Sequence, residues 1–491
     1  MIDSRQGIGD NVGMNSEQVP AGIAVEDWAA TPESVQRLVV VLLETIERLQ
    51  QRITGLEERL NQNSGNSSMP PSSDPPGKAV RRKGKASGLK RGGQPGHQGQ
   101  TRPLKSVEQV DRLIDLRPVA CCGCGALLLG EDPDAQRHQV TELPRIEPYV
   151  IEYRRHTLSC LVCGTETTDE WPVDMPTGSF GPGVQAMVGY LTGRMGSSQR
   201  DVEEAMAALF RTELALGSVP VLQQAVSQAL EQPTSEAQAC VQQQPATNVD
   251  ETGWREQGKR TWLWVGATPQ VAVFAIQATR GAKGVRYLLG ETVTGIVGSD
   301  RWSAYNWLDL QQRQLCWSHL KRDFQKLVDR KGESAAIGQA LLVQTEQLFA
   351  LWHRVRDGTL HRTDFQFQVQ SIRTEVHHVL QQGAALSQQQ TARTCKNLLK
   401  LEPALWTFVD VPDVEPTNNL AERCLRRAVL WRRRSFGTQS FGGSRFVERI
   451  LTVVTTLRLQ QRDVLDYLTA ACAAAISRQS PPSLLPQANT T

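Results

Sequence analysis

The order of apolar runs between residues 246 and 324 constrains the fold more than any other feature of the chain. Val249 to Trp254, RTWLWVGA and VAVFAIQA are typical of three consecutive strands. GAKGVRYLLG then has the pattern of a helix, TGIVGSD that of a fourth strand, and QLCWSHLKRDFQKLV that of a fifth strand running into a helix. We therefore expect three antiparallel strands followed by helix, strand, helix and strand.

Acidic residues stand at separate places along this pattern. Asp250 lies in the first strand, Asp300 ends the fourth strand, and Glu422 lies in TNNLAER on a helical pattern. Carboxylates at close range repel one another, so their convergence makes sense mainly around divalent cations, and Mg²⁺ prefers oxygen ligands. Two such ions stabilise both the attacking and the leaving oxygen of a phosphoryl displacement. The pattern predicts a ribonuclease H-like core that cuts nucleic acid.

Each carboxylate also has a structural alternative. Acidic residues at strand ends are usually solvated or paired with a base, and Glu422 and Arg426 have the favourable spacing for a helical ion pair. The same helix has an apolar stripe formed by Leu420, Ala421, Cys424, Leu425, Ala428 and Val429. Asn418 and Glu422 lie on one edge of this stripe, so Glu422 is predicted to face the sheet.

Arginines follow Glu422 closely. They are Arg423, Arg426, Arg427, Arg432, Arg433 and Arg434. Because guanidinium groups bind phosphates well, the run predicts a DNA-backbone contact beside the carboxylates.

A second basic segment extends from Pro75 to Val107 and contains no acidic residue. Its cations include Arg81, Arg82, Lys83, Lys90 and Arg91. Such a run suits a phosphate backbone, but a solubilising linker is an equal alternative. The sequence from residue 61 onward is rich in Asn, Ser, Pro and Gly, which predicts disorder over 61–110.

Residues 33–60 predict a coiled coil. Val39, Ile46 and Ile53 fall at a positions, and a second seven-residue series contributes leucines at d. β-Branched residues at a with leucine at d favour a parallel dimer. The alternative is an amphipathic helix docked on the protein's own core.

Two Cys-x-x-Cys pairs, Cys121 with Cys124 and Cys160 with Cys163, are each followed by a glycine. Four thiolates in this spacing hold one Zn²⁺ tetrahedrally, and the glycines permit the tight turns. The pattern predicts a structural zinc ribbon over 111–175 rather than buried thiols or a redox pair. Cys122 is interpreted as a bystander.

Helical patterns fill 176–240, with a break near Gly217. Helices separated by a short break resemble a helix-turn-helix, and a structural helical linker is an equal alternative. At 491 residues the chain exceeds one domain. The N-terminus lacks the layout of a secretory signal and no apolar stretch is long enough to cross a membrane. A cytoplasmic, nucleoid-associated protein without membrane contact is expected.

Several segments in order resemble transposases of the insertion sequence 66 family. They are NSSMPPSSD, GGQPGHQG, the cysteine pairs, VDETGWR with WLWVG, SDRWSAYN, CWSHLKRDF, NNLAERCLRRAVLWRRRSFG and TVVTTLRLQQRDVLDYL. The resemblance implies that Asp250, Asp300 and Glu422 hold catalytic Mg²⁺ or Mn²⁺ and that His319 and Arg322 are auxiliary residues. For His319, a buried hydrogen-bonded histidine is the alternative. It also implies cleavage at element ends, strand transfer to target DNA, and accessory proteins from the same element.

The predicted architecture is a multidomain α+β chain. It comprises a coiled coil at 33–60, a basic linker at 61–110, a zinc ribbon at 111–175, a helical DNA-binding region at 176–240, a ribonuclease H-like catalytic domain at 241–455 with a helical insertion at about 331–410, a helical segment at 456–478 and a tail at 479–491. The leading hypothesis is a homodimeric DNA transposase. A nuclease of the same fold and a zinc-dependent DNA-binding regulator with inert carboxylates are the competing hypotheses.

Overall fold

The computed structural model describes residues 19–20, 22–63, 65–66 and 102–486. The basic residues Arg81, Arg82, Lys83, Lys90 and Arg91 lie outside the described residues. The chain divides into two compact units. Among the described residues, the helical unit comprises those up to residue 66 together with Trp317–Leu401, and the sheet unit comprises 102–316 and 402–486.

The α-helices of the described residues are, in chain order, α1 Val25–Ala30, α2 Glu33–Leu60, α3 Pro182–Tyr190, α4 Gln199–Phe210, α5 Ser218–Ala229, α6 Glu231–Gln242, α7 Ala282–Leu289, α8 Trp317–Asp329, α9 Gly332–Arg356, α10 Arg362–Ala385, α11 Gln389–Lys400, α12 Pro403–Asp410, α13 Asn419–Ser435, α14 Phe441–Leu459 and α15 Val464–Ile476. The strands are β1 Thr157–Ser159, β2 Glu166–Thr168, β3 Ala246–Glu256, β4 Lys259–Ala267, β5 Ala272–Gln277, β6 Ile296–Ser299 and β7 Arg313–Leu315. The predicted mixture of helix and sheet is confirmed.

A five-stranded sheet organises the sheet unit, with strand order β5-β4-β3-β6-β7. Strands β3, β4 and β5 pair antiparallel, whereas β6 pairs parallel with both β3 and β7. The three antiparallel strands, the helix after them and the two later strands agree with the sequence analysis. The prediction of a helix between β6 and β7 is wrong, because that connection contains two short 3₁₀ turns, Ser303–Tyr305 and Leu310–Gln312.

Helices cover both faces of this sheet. On one face, Leu263 and Val265 of β4 pack with Ala421 and Leu425 of α13. On the other face, Trp264 belongs to a core shared with α3, α5, α6, α7 and α15. The alternation along β4 follows from the two-residue repeat of a strand, which sends neighbouring side chains to opposite faces.

The outer edge of the sheet is closed by side chains of α14. The backbone N–H groups of β5 at Ala272, Phe274 and Ile276 donate to Thr456, Thr452 and Glu448 respectively. The three acceptors are spaced four residues apart, so they lie along one side of the helix. A buried edge strand leaves backbone donors that need partners, and α14 supplies them.

Glu448 makes the stability of this edge depend on pH. Burial raises the pKa of Glu448 to about 7, although Arg445 opposes the shift through an ion pair of 2.6 Å. A folded-state pKa above the unfolded value of 4.5 favours folding at low pH, and this contribution is lost as pH rises towards 7.

We expect Glu448→Gln to stabilise the fold relative to the wild type at pH 8 by up to ~3 kcal/mol, and to have a smaller effect at pH 5. Glutamine keeps an acceptor for the Ile276 N–H while removing the buried charge. Urea unfolding followed by tryptophan fluorescence at both pH values measures the difference. The exposed Glu204→Gln serves as control, and equal pH profiles for wild type and Glu448→Gln contradict the prediction.

The helical unit contains the predicted helix at 33–60 as one continuous element, α2. Its heptad residues are largely exposed, including Ile46 at 49% and Ile53 at 55%. The C-terminal end of α2 is attached within this unit: Arg330 Nε donates to Glu58 Oε1 at 3.0 Å. Helices α8 to α11 pack on one another through buried residues such as Phe365.

Helices α4 and α5 occupy the segment with the predicted helix-turn-helix pattern. The break predicted near Gly217 is confirmed, since α4 ends at Phe210 and α5 begins at Ser218. Helix α5 contains no basic residue, and its Val219 and Val226 are fully buried. A DNA-reading role for this pair stays a prediction.

Candidate metal and nucleic-acid site

Asp250 and Asp300 lie just beyond the point where the parallel pairing of β3 with β6 ends, Asp250 within β3 and Asp300 directly after β6. Asn248 of β3 is paired with Gly298 of β6, and each aspartate follows its paired residue by two positions. Side chains two positions apart on a strand share a face, so this register brings both carboxylates to one location. The Trp302 N–H donates to Asp300 Oδ1 at 2.9 Å and fixes the second carboxylate just beyond β6.

Glu422 reaches the sheet from the first turn of α13. Ala421, Cys424 and Leu425 are buried, which agrees with the predicted apolar stripe. Asn418, fully buried at the start of the helix, donates from Nδ2 to the Val249 carbonyl at 3.3 Å. Since Val249 precedes Asp250, Asn418 ties the helix of the third carboxylate to the strand of the first.

The electrostatics of Asp250 show that the acidic groups are close together. Burial raises its pKa well above the ordinary value, and the carboxylates of Glu251, Asp300 and Glu422 each raise it further. An opposite charge is what such a group needs to remain ionised. The three sequence-predicted carboxylates therefore influence one another electrostatically, and within the described part of the chain their oxygens do not all lie within 4.8 Å of one another.

Glu251 is a fourth acidic residue at this site. Its side chain is 1% exposed and pairs with Arg280 at 2.7 Å, and the Tyr305 hydroxyl donates to it at 3.1 Å. Burial raises the pKa of Glu251, Asp300 raises it further, and Arg280 opposes both. No local sequence signal predicts this network, because its partners lie on different elements.

Arg313 stabilises the backbone at Asp300. This fully buried arginine of β7 donates from Nη2 to the Asp300 carbonyl at 2.9 Å and from Nε to Ser299 Oγ at 3.3 Å. Burial lowers its pKa to about 10, which leaves it protonated at neutral pH. The buried cation fixes the backbone that carries Asp300.

The other predicted site residues are placed as follows. His319 and Arg322 lie on α8 in the helical unit, and their auxiliary role stays a prediction. Cys316, the last residue of the sheet unit's first segment, has its sulfur within 4.8 Å of a Glu422 carboxylate oxygen.

The arginines of α13 divide into two groups. Arg427 Nε donates to the Gly193 carbonyl at 3.3 Å, and Arg432 donates to Thr252 Oγ1 at 2.9 Å and to the Gly253 carbonyl. These two guanidiniums therefore hold α13 against neighbouring segments. Arg434 Nη1 likewise donates to the Gly196 carbonyl at 3.0 Å. The side chains of Arg423, Arg426, Arg433 and Arg434 are exposed.

The two cysteine pairs form matching turns. The Gly125 N–H donates to the Cys121 carbonyl at 2.9 Å, and the Gly164 N–H donates to the Cys160 carbonyl at 2.8 Å. Both glycines have positive φ, +75° and +72°, so the predicted reason for glycine after each pair is confirmed.

Hydrogen bonds shift two of the thiols towards the thiolate. They lower the pKa of Cys163 to about 7, mainly through Thr165, and also lower that of Cys121. Within the described part of the chain, the sulfurs of the two cysteine pairs do not gather into one group within 4.8 Å.

None of the helices in the described ranges has the length and hydropathy that a membrane crossing requires.

The chain thus has a mixed sheet with helices on both faces, and acidic side chains lie where the parallel pairing of β3 with β6 ends. The model of the Transposase IS66 family matches residues 179–445, more than half of the chain. The chain belongs to this family. A further match, to a family of unknown function (DUF6444), covers residues 26–103.

One curated relative is similar to part of the chain. It is an uncharacterized protein, y4qI, of Sinorhizobium fredii (strain NBRC 101917 / NGR234), and it is 28% identical over 238 residues. The match covers 43% of this chain and 43% of that protein, so the chain spans less than half of the relative's length.

Proposed function

We propose that this chain is a DNA transposase whose ribonuclease H-like core cleaves the ends of an insertion sequence and joins them to target DNA. The observation that carries the proposal is the placement of three acidic residues: the register of β3 with β6 brings Asp250 and Asp300 together, and Asn418 ties the helix of Glu422 to β3. Burial raises the pKa of Asp250, and the nearby carboxylates raise it further. The strand order β5-β4-β3-β6-β7, with one antiparallel and one parallel half, supports the fold assignment. Family membership supports the substrate class.

The donor set fits hard divalent cations. All three side chains offer carboxylate oxygens, which Mg²⁺ and Mn²⁺ prefer, and their mutual repulsion is relieved by positive charge. Asp250, Asp300 and Glu422 would hold the metal. Bound there, it would activate the attacking oxygen and stabilise the leaving oxygen of the phosphodiester.

The protein's own groups position this chemistry. Arg313 and the Trp302 N–H hold Asp300, and Asn418 holds the start of α13 against β3. Exposed arginines of α13, such as Arg423 and Arg426, bind the phosphates that flank the cleaved bond. A water oxygen attacks the phosphorus and the bond to the 3′ oxygen breaks, which leaves a 3′ hydroxyl and a 5′ phosphate. That hydroxyl then attacks a phosphorus of the target strand, and the bond from this phosphorus to the target's own 3′ oxygen breaks.

One assay separates this proposal from its competitors. Labelled element-end DNA is incubated with the full chain, Mg²⁺ and supercoiled target DNA, and products are resolved on a gel. A transposase yields joined product, a nuclease yields cut DNA alone, and a binding regulator yields only a shifted complex. Joined product supports the proposal, and either of the other two patterns overturns it.

Helix α2 supports the proposed homodimer. Its exposed heptad stripe provides the a and d residues that a second copy of α2 would bury. We expect Ile46→Asn combined with Ile53→Asn to convert a dimer into a monomer, because two a positions then lose their apolar contact. Light scattering coupled to size exclusion measures the mass.

Glu44→Gln is the control for this experiment, because residue 44 lies at the f position opposite the stripe. It is expected to remain dimeric. The dimer assignment fails if the double variant has the same mass as the wild type, or if the wild type itself is monomeric.

The proposal also assigns a structural Zn²⁺ to the two cysteine pairs and DNA to the basic segment before them. Accessory proteins encoded by the same element and a nucleoid location follow from the same proposal.

A further inference from the structure

Arginine and tryptophan side chains alternate beside Asp300. Arg260 lies over the Trp262 ring at 4.8 Å, Arg280 lies over the same ring at 4.9 Å, and Arg280 also lies over the Trp302 ring at 4.1 Å. In space, the side chains are therefore stacked in the order Arg260, Trp262, Arg280, Trp302. Planar guanidiniums stack on indole faces in this way.

The Trp302 ring is held in place by hydrogen bonds and remains partly exposed to solvent. The Trp302 indole N–H donates to the Arg280 carbonyl at 3.1 Å, and its backbone N–H donates to Asp300. Arg280 is itself held by the buried carboxylate of Glu251. Even so, Trp302 is 38% exposed. A large aromatic side chain held rigidly at partial exposure carries little ordering cost when a ligand stacks on it.

The position of Trp302 determines what that ligand is. Trp302 follows Asp300 by two residues, and its backbone N–H donates to the Asp300 carboxylate. When a phosphodiester lies at that carboxylate, the nucleotides next to the reacting bond are therefore within reach of the Trp302 ring. Aromatic rings combined with arginines form the surfaces that hold single strands, since every base has a face that stacks. A paired base inside a duplex is already stacked on its neighbours and presents no free face.

We propose that Trp302 is a stacking platform for one unpaired base of the DNA strand held at the carboxylate site. This inference rests on the proposed function and adds a substrate feature to it: the DNA next to the reacting bond is locally unpaired. Glu251 and Arg280 are positioning residues that keep the ring in place.

The test uses a duplex with a short single-stranded fork that carries 2-aminopurine, together with a fully paired duplex of the same sequence. Binding is measured without divalent cation, so that no strand is cut, and the fluorescence of 2-aminopurine reports stacking. We expect Trp302→Leu to weaken binding to the fork about tenfold and to remove the quenching, with little change for the paired duplex. Trp302→Phe keeps an aromatic face and should stay close to the wild type.

Phe367→Ala is the matched control, because Phe367 is an aromatic residue of α10 that is 82% exposed. Comparing leucine with phenylalanine at position 302 separates stacking from loss of fold, since both remove the indole N–H. Equal fork binding and quenching in Trp302→Leu and wild type overturn the inference, and so does equal loss in the phenylalanine and leucine variants.

Failure of the inference is distinct from failure of the proposed function. Wild-type protein that joins DNA in Mg²⁺ while Trp302→Leu binds the fork normally refutes only the stacking role. Wild-type protein that neither quenches the fork nor cuts or joins any DNA refutes both.

Discussion

Asp250→Asn is expected to reduce Mg²⁺-dependent cleavage and joining by more than about 100-fold. Removal of a residue that merely supports a metal ligand typically costs 10–100-fold, so loss of a direct ligand should exceed that range. Asparagine has nearly the same volume as aspartate, so the substitution removes the charge without leaving a cavity. DNA binding, measured by gel shift, should remain close to the wild-type level.

Thermal unfolding gives this prediction a second readout. Burial and three neighbouring carboxylates raise the pKa of Asp250, so its ionised form is disfavoured in the folded protein. Without divalent cation, Asp250→Asn should therefore melt at the wild-type temperature or above. Added Mn²⁺ should raise the melting temperature of the wild type more than that of the variant, because a ligand that binds the folded state stabilises it.

Asp410→Asn is the control, because Asp410 is an exposed aspartate at the end of α12. It should match the wild type in both assays. Undiminished joining by Asp250→Asn contradicts the assignment of this residue as a metal ligand.

Removal of zinc should have the second large effect, the loss of ordered structure in the segment that carries the two cysteine pairs. Strands β1 and β2 have three residues each, and their side chains are exposed. Leu158 and Val162 likewise contribute no buried core, at 72% and 95% exposure. A segment with so little apolar burial needs another source of stability, and a structural Zn²⁺ site supplies ~10–16 kcal/mol in small zinc domains.

The full chain is expected to contain about one Zn²⁺, since four thiolates complete one tetrahedral site. Cys121→Ser and Cys160→Ser should each lose it and become sensitive to protease between residues 102 and 175. Cys122→Ser is the matched control, because Cys122 is adjacent to a proposed ligand and is interpreted as a bystander. Metal analysis and limited proteolysis give the readouts. A zinc-free wild type, or equal zinc loss in Cys122→Ser, contradicts the prediction.

The strands and two of the acidic positions were predictable because their causes are local. Apolar runs such as VAVFAIQA form strands, and Asp300 directly follows such a run while Asp250 lies within one. Once β3 and β6 pair in parallel, Asp250 and Asp300 meet as a consequence of register. The apolar stripe of α13 likewise predicted which side of that helix faces the sheet.

The features that sequence reasoning missed depend on tertiary contacts. Thr452 and Thr456 have no local property that marks them as partners of the β5 edge. Their hydroxyl oxygens accept hydrogen bonds from β5 only because α14 lies beside that strand. Glu251 gains its role from Arg280, which reaches it from a different element. The sequence pattern predicts a helix between β6 and β7, whereas the connection contains two short 3₁₀ turns.

The central claim is that Asp250, Asp300 and Glu422 surround the same bound cations, and localised backbone cleavage tests it most directly. Fe²⁺ replaces Mg²⁺ in the folded chain, ascorbate and peroxide generate hydroxyl radicals at the metal, and the cut sites are mapped by mass spectrometry. Cuts near residues 250, 300 and 422 that excess Mg²⁺ suppresses are predicted. Cuts near 250 and 300 with none near 422, or cuts that Mg²⁺ does not suppress, contradict the account.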